Sequence, residues 1–312
     1  MLRMILSRMR RFLPALLLAG AVVSAQQVPD TEFSPQVAGP AFAEGEGPRV
    51  GIDEGHFNFH TAGGRYSPFA QLLTRDGFVV TPLSGKFDRS TLAEIDVLVI
   101  SNALNARNVE DWSLPTPSAF EPGEVAAVRD WVAGGGALLL IADHMPFGGA
   151  AEELGRAFGF SFTNGYASQP GSGGGPLAFN RSDGSLNDHS VVRGRDSTER
   201  VDRVVTFTGQ AFGAESGHGL LELPEGAIVL LPKAAGEFLP DTPRARAAGL
   251  YQGATRVLGE GRVAAFGEAA MFSAQLAGPN RMPMGMNSAG AEQNAQFALN
   301  VMHWLVGLLP EQ

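Results

Sequence analysis

The sequence of 312 residues contains no cysteine. This absence excludes disulfide bonds, metal sites held by thiolates and catalysis by a thiol nucleophile. Positive charge is also scarce, because 23 Lys and Arg stand against 32 Asp and Glu, for a formal net charge of −9. Such a surface repels phosphate backbones, and we therefore expect no nucleic-acid partner.

Long apolar runs are missing as well, and the run at residues 12–23 is short. It follows a basic start with four arginines: Arg3, Arg8, Arg10 and Arg11. Small residues at 23–25 come next, an order typical of a secretory signal peptide cleaved after Ala25. The alternative is an uncleaved membrane anchor, but a run of this length falls short of the roughly 20 residues that span a bilayer. We predict a bacterial periplasmic or secreted protein with no membrane insertion after cleavage.

The rest of the chain divides into a leader and one domain. Residues 26–47 are rich in Pro, Ala, Gly and Glu without periodicity, which predicts a disordered leader. From residue 48 onward, apolar strands such as 96–101 (DVLVIS) and 137–142 (ALLLIA) alternate with helical patterns. This alternation predicts an α/β fold, a doubly wound and mostly parallel flavodoxin-like sheet, in a single domain over residues 48–312. The rhythm breaks at about 164–220, which predicts an inserted loop region.

Polar residues cluster where the predicted strands end. Asp53, His56 and His60 follow the first strand, Asn102 the second, Asp143 and His144 the third, and Glu268 the last core strand. Because ligands bind beyond the carboxyl ends of strands in open α/β sheets, these side chains predict one functional site at that rim. Each residue also has a structural explanation. Asp53 and Asp143 could cap a turn or helix, and Glu268 could be satisfied by backbone N–H groups.

Four segments carry a resemblance to a known family: VGIDEGH (50–56), LVISNA (98–103), LLLIADHMPFGGA (138–150) and RVAAFGEAAMF (262–272). Together with the order of elements over residues 48–309, they make the chain resemble the class I glutamine-amidotransferase-like superfamily, in its trehalose-utilisation-type branch. The resemblance implies that family's fold, a site at the strand ends and a carbohydrate-type ligand. The family's elbow cysteine is absent, and Asp143 and His144 stand there instead. Glutaminase chemistry through a cysteine is therefore excluded.

Three kinds of function remain open for this site. In the first, Asp53, His56, His60 and His144 bind a divalent metal such as zinc, and Glu268 acts as general base in a hydrolase or lyase. In the second, the chemistry is metal-free. Asp143 is then the base or nucleophile, His144 or His56 its partner, and Glu268 the acid.

The third is a non-catalytic domain that binds a carbohydrate or another small molecule. Asn58, Asn102, Asn287, Trp112 and the acidic residues of the rim would suit the hydroxyl groups of a sugar. No glycine-rich phosphate loop precedes a helix, and we therefore predict no nucleotide cofactor.

Overall fold

The computed structural model describes residues 27–169 and 175–312. Its strands, in chain order, are β1 (Gln27–Pro29), β2 (Arg49–Asp53), β3 (Val79–Leu83), β4 (Val97–Ser101), β5 (Ala137–Ile141), β6 (Phe160–Phe162), β7 (Tyr166–Ser168), β8 (Leu177–Asn180), β9 (Arg203–Thr206), β10 (Phe212–Ala214), β11 (His218–Glu222), β12 (Ile228–Leu230), β13 (Arg244–Arg246), β14 (Tyr251–Leu258), β15 (Gly261–Phe266), β16 (Ala274–Ala277) and β17 (Met282–Gly285). The α-helices are α1 (Ser67–Arg75), α2 (Arg89–Leu92), α3 (Pro122–Ala133), α4 (Phe147–Ala157), α5 (Ser190–Arg193) and α6 (Asn294–Leu305). Two short 3-10 helices cover Ala106–Asn108 and Ala270–Phe272.

A nine-stranded sheet forms the centre of the molecule, in the order β3-β2-β4-β5-β15-β14-β10-β6, with β11 also paired to β14. Neighbours from β3 to β15 are parallel. Those beyond β15 pair antiparallel. The sheet curls into a half-barrel. The other described strands form three small sheets, β1-β16-β17, β13-β12-β7 and β8-β9, which are antiparallel throughout.

The prediction of a doubly wound, mostly parallel flavodoxin-like sheet is therefore wrong. The strand–helix alternation before residue 160 does not continue into the second half of the chain, where most strands follow one another without an α-helix between them. The hairpin of β14 and β15 is the clearest case, because Leu258 pairs with Gly261 across a two-residue connection. A connection that short joins only antiparallel strands, since a parallel pair needs a crossover of a dozen or more residues.

Strands β4 and β5 are buried along their whole length. Alternate residues of β4 contribute to two apolar clusters, Val97 and Val99 to one, Leu98 and Ile100 to the other. Such strands are apolar on both faces, which is why their sequences read as continuous apolar runs. Within residues 27–169 and 175–312, no helix has the length and apolarity to cross a membrane.

Two boundaries differ from the sequence predictions. Residues 27–47, expected to be disordered, are packed: β1 pairs with β16, and Phe42 lies edge-on against Phe78. The chain turns at Gly77, with φ of +93°, where a Cβ atom would lie 2.5 Å from the carbonyl oxygen of Phe42. The region 164–220 is not a simple loop insertion, because β10 and β11 belong to the central sheet. The predicted signal peptide, 1–25, lies outside the described residues.

Candidate functional site

The carboxyl ends of four parallel strands meet at one rim of the sheet. Asp53 ends β2, Ser101 ends β4, and Asp143 and Glu268 each lie two residues beyond a strand. Hydrogen bonds join neighbouring ends: Oδ1 of Asn102 accepts from the backbone N–H of Asp143 at 2.9 Å, and Oδ2 of Asp143 accepts from that of Ala269 at 3.3 Å. The rim is thus a connected polar layer above the sheet.

His56 lies between two carboxylates. Its Nδ1 is 3.0 Å from both oxygens of Asp53, and its Nε2 is 3.0 Å from Oε1 of Glu124 on α3. The ring also packs against Phe87 and Phe120, with centroids 4.5 and 4.9 Å away. All three polar side chains are buried. We call Asp53, His56 and Glu124 the buried triad.

Electrostatics favour the charged forms of His56 and Glu124. Burial lowers the pKa of His56, but the hydrogen bonds and charges of Asp53 and Glu124 outweigh burial and raise it. Burial raises the pKa of Glu124, but backbone N–H groups of Glu121 and Phe87, with the bond from His56, lower it overall. Both ring nitrogens of His56 are engaged, so the triad is a closed ion-pair network.

His60 is a neutral, buried histidine. Burial, with a smaller contribution from the charge of Arg65, lowers its pKa to about 3. The amide nitrogen of Gln275 lies 3.3 Å from its Nε2, and Oγ of Ser101 lies 3.3 Å from its Nδ1. Because the amide nitrogen donates, Nε2 accepts and Nδ1–H donates to the serine. His60 therefore links the end of β4 to β16.

Asp143 and Glu268 lie on neighbouring strand ends. Glu268 is fully buried, and its two oxygens accept from the backbone N–H groups of Ala270 and Met271 at 3.0 and 2.8 Å. Burial and the negative charge of Asp143 raise the pKa of Glu268 well above its usual range. Glu268 is sealed from solvent and holds the 3-10 turn that follows β15. Asp143 is also buried but retains 6% exposure, and its Oδ1 accepts from the backbone N–H of His144 at 2.7 Å.

Half-exposed aromatic rings surround His144. The imidazole stacks on Tyr166 with centroids 4.4 Å apart and planes inclined by 15°. Trp112 lies 6.4 Å from His144, and the exposed ring of Phe238 lies 5.0 Å from Tyr166. We call His144, Tyr166, Trp112, Phe238 and Phe59 the aromatic rim cluster. Phe59 joins it through Trp112, at 5.6 Å.

The rim cluster also lies close to a carboxylate. Burial first, and then the negative charge of Asp143, raise the pKa of Tyr166. Nδ1–H of His144 donates to the carbonyl oxygen of Met145 at 2.7 Å, which leaves Nε2 as the ring acceptor. No hydrogen bond to this Nε2 comes from the parts of the chain that the structure describes. The cluster thus presents flat apolar rings beside a carboxylate and an open imidazole nitrogen.

The three asparagines proposed as ligand-binding residues are largely engaged within the protein. Asn58 donates to Oδ2 of Asp53 at 2.9 Å and accepts from the backbone N–H of His56 at 3.0 Å. Asn102 is buried and orients Asp143. Asn287 lies in the wall of another cavity, beside Met286 and Ser288. Two of the three therefore hold the rim in shape.

The proposed metal ligands do not fit a shared ion. Across residues 27–169 and 175–312, no three His, Asp or Glu side chains are grouped so as to hold a metal. The reason is visible in the contacts: His56 has both nitrogens on carboxylates, and His60 has both on Ser101 and Gln275. His144 is directed to Tyr166 and Met145. The predicted metal remains a prediction for elemental analysis.

Two important residues escaped the sequence analysis. Glu124 lies 68 positions from His56, and in the sequence it reads only as the third residue of a helix with a capping box. Its Oε2 does accept from the backbone N–H of Glu121 at 2.9 Å, while Oε1 is left for His56. Tyr166 comes from the irregular region after α4, where no local pattern singles it out. Both depend on contacts between distant segments.

The sequence matches no family model and no curated protein. Solved structures resemble the fold. The domain named mmIFT52 N-terminal domain has a TM-score of 0.56 at 11% identity, over 83% of this chain and 97% of that one. A ThuA-like protein from Bacteroides uniformis has a TM-score of 0.46 at 14% identity, over 88% and 94%.

An exo-β-1,4-mannosidase from an Opitutaceae bacterium has a TM-score of 0.42 at 12% identity, covering 86% of this chain and 37% of the enzyme. The likeness to ThuA-like proteins is structural, at low sequence identity. At such identities, the comparisons concern the fold alone.

Proposed function

We propose that this protein binds a carbohydrate-type small molecule on the aromatic rim cluster, beside Asp143. The observation that carries the proposal is the stack of His144 on Tyr166, 4.4 Å between centroids, at the carboxyl ends of the parallel strands. Ligands of open α/β sheets bind at this edge. The resemblance to trehalose-utilisation-type proteins supports the same class of ligand.

The chemistry of the rim suits a sugar ring. A pyranose has an apolar face of C–H groups, which the rings of Trp112 and Tyr166 would cover, and hydroxyl groups around its edge. Hydroxyl donors would meet the carboxylate of Asp143 and Nε2 of His144. Half-exposed rings held by their neighbours lose little side-chain entropy when a ligand covers them.

Binding is favoured over metal-assisted hydrolysis because two of the three histidines needed for a metal, His56 and His60, have both ring nitrogens engaged by protein groups. A second candidate is metal-free acid–base catalysis at the same surface. It is supported by Nε2 of His144, an open acceptor in a half-exposed ring next to the carboxylate of Asp143. In that case His144 would take a proton from a water or hydroxyl group, and Glu268, sealed beneath, would only position the turn at 270–272.

Titration with mono- and disaccharides, trehalose among them, tests the proposal by isothermal calorimetry and ligand-observed NMR. For any sugar that binds, we expect Tyr166→Ala and Trp112→Ala each to lower the affinity about tenfold or more. Each variant removes a stacking surface. Leu308→Ala is the matched control, because Leu308 is an exposed apolar residue outside the cluster.

The two candidates differ in turnover. A binding domain holds the sugar unchanged, whereas the acid–base candidate predicts hydrolysis of an aryl glycoside that His144→Gln abolishes. Absence of saturable binding to every sugar tested, with Tyr166→Ala indistinguishable from the parent protein, would overturn the carbohydrate proposal.

A further inference from the structure

A cavity of about 560 Å³ lies between residues 33–36, helix α1 and the segment that leads into α6. Its apolar wall comprises Phe33, Leu72, Met286 and Leu299. Its polar wall includes Asn287, Ser288, Glu292 and Gln296. Apart from Asn287, no residue predicted for the functional site lines it. Its volume lies within the range of ordinary small-molecule sites.

The amide of Asn287 has a determined orientation. Its Nδ2 donates to Oδ2 of Asp30 at 2.9 Å and to the carbonyl oxygen of Gln275 at 3.0 Å. Reversal of the amide would set its oxygen against two acceptors, so the assignment is firm. The remaining oxygen, Oδ1, is buried and has no hydrogen-bond partner in the described structure. A buried acceptor without a donor costs free energy. A hydrogen-bond donor from a ligand that reached Oδ1 of Asn287 would therefore be stabilising.

Gln296 is oriented in the same sense. Nδ2 of Asn300 donates to the carbonyl oxygens of Val191 and Glu199, at 2.8 and 2.9 Å, which leaves Oδ1 of Asn300 as an acceptor. Nε2 of Gln296 donates to that oxygen at 2.9 Å. One N–H group of Gln296 thus donates to Asn300, and this fixes the amide with its oxygen available as an acceptor.

Ser288 and Glu292 complete the set. Oγ of Ser288 is buried without a partner in the described residues. Backbone N–H groups of Gly290 and of Glu292 itself, with the charge of Arg203, lower the pKa of Glu292, which is therefore an anion at neutral pH. The lining residues include no Lys, Arg or His. The cavity thus combines acceptor oxygens and one negative charge with an apolar wall.

We propose that this cavity is a binding site for an amphipathic organic ammonium ion. The ammonium group would donate to Asn287, Ser288 and Gln296 near the carboxylate of Glu292, and the alkyl part would lie against Leu72, Met286 and Leu299. An ammonium carries only donors, which matches the two buried oxygens of the wall that lack a partner in the described residues, Oδ1 of Asn287 and Oγ of Ser288. The site is independent of the aromatic rim cluster and of the carbohydrate proposal.

Butylammonium chloride and 1-butanol form a matched pair of probes, since they share an alkyl chain and differ in charge. Binding to the full chain is measured by saturation-transfer NMR and calorimetry at pH 7. We expect butylammonium to bind at least tenfold more tightly than 1-butanol. Glu292 is exposed, so Glu292→Gln should weaken butylammonium by about threefold and leave 1-butanol unchanged, whereas Glu260→Gln, at an exposed glutamate outside the cavity, should change neither.

Two further variants separate binding from folding. Ser288→Ala removes one acceptor and should weaken butylammonium several-fold. Ala295→Leu adds side-chain volume at a half-buried lining position and should block both probes, with the thermal unfolding midpoint confirming a folded protein. The proposal is overturned if 1-butanol binds as tightly as butylammonium, if neither probe binds, or if Glu292→Gln and Glu260→Gln behave alike.

Discussion

Nε2 of His56 and Oε1 of Glu124 lie 3.0 Å apart although 68 positions separate the residues. This contact ties the loop after β2 to the first turn of α3, and Asp53 closes the network from the other side of the ring. The triad is buried, so its charges depend on each other for compensation. The triad therefore holds the loop after β2 in place at one side of the rim.

The first prediction concerns the stability supplied by this contact. Glu124→Ala should lower the free energy of unfolding by about 3 kcal/mol, because it leaves a buried imidazolium with one carboxylate and removes the helix cap. Glu124→Gln should cost less, since glutamine still serves a capping box. Urea unfolding at pH 7 measures both, with Glu153→Gln on an exposed part of α4 as the control. Equal stability of Glu124→Ala and the parent protein would contradict a structural triad.

The second prediction concerns His60, whose pKa is lowered to about 3 by burial and, to a lesser extent, by Arg65. In the unfolded chain, a histidine protonates near pH 6.5. Between these values the unfolded state binds the extra proton, so the contribution of His60 to stability is lost as pH falls from about 6.5 toward 3.

The variant His60→Gln should therefore unfold with a flatter pH dependence. Below pH 6, the slope of the free energy of unfolding against pH should differ between the variant and the parent protein by about 1.4 kcal/mol per pH unit. Urea titrations at several pH values from 4.5 to 7 measure it. His189, whose pKa is lowered to about 4 by burial and by His218, is present in both proteins and cancels. Parallel curves would show that His60 is protonated in the folded state.

The third prediction concerns metal content. The ring nitrogens of His56 and His60 are held by carboxylates, Ser101 and Gln275, and we therefore expect EDTA to leave the thermal unfolding midpoint unchanged. Thermal unfolding with and without EDTA checks this expectation, and elemental analysis of the purified protein measures its metal content. Stoichiometric zinc that is lost in His56→Ala would restore the metal site predicted from the sequence and would require a rearranged triad.

The fourth prediction concerns export. The basic start, short apolar run and small residues at 23–25 lead us to propose that residues 1–25 are removed on secretion. Mass spectrometry of the protein from the periplasm or medium should give a chain that begins at Gln26. Replacement of Arg8, Arg10 and Arg11 by glutamine should reduce export. Exported material that retains Met1 would contradict cleavage.

The amino-acid sequence by itself was sufficient to group four strand-end residues at the rim, but not to exclude Asn287 from it or to find Glu124 and Tyr166. Asp53, Asn102, Asp143 and Glu268 each follow an apolar run, and ends of parallel strands converge, so local pattern was sufficient to group them. Their roles could not be obtained in this way. Glu268 is sealed under a turn and His56 is paired with Glu124, because the decisive partners come from segments far away in the chain.

The same division applies to the fold. Apolar runs and helical spacing were sufficient for β2, β4, β5 and the helices between them, because these depend on local periodicity. Only the tertiary structure decided that the second half of the central sheet is antiparallel and that residues 27–47 are packed, with β1 paired to β16. Strand direction and edge pairing depend on connection length and on which surfaces remain to be covered, and these are properties of the whole chain. Tyr166 reaches His144 for the same reason, since its position is set by long-range pairing of β7 with β12.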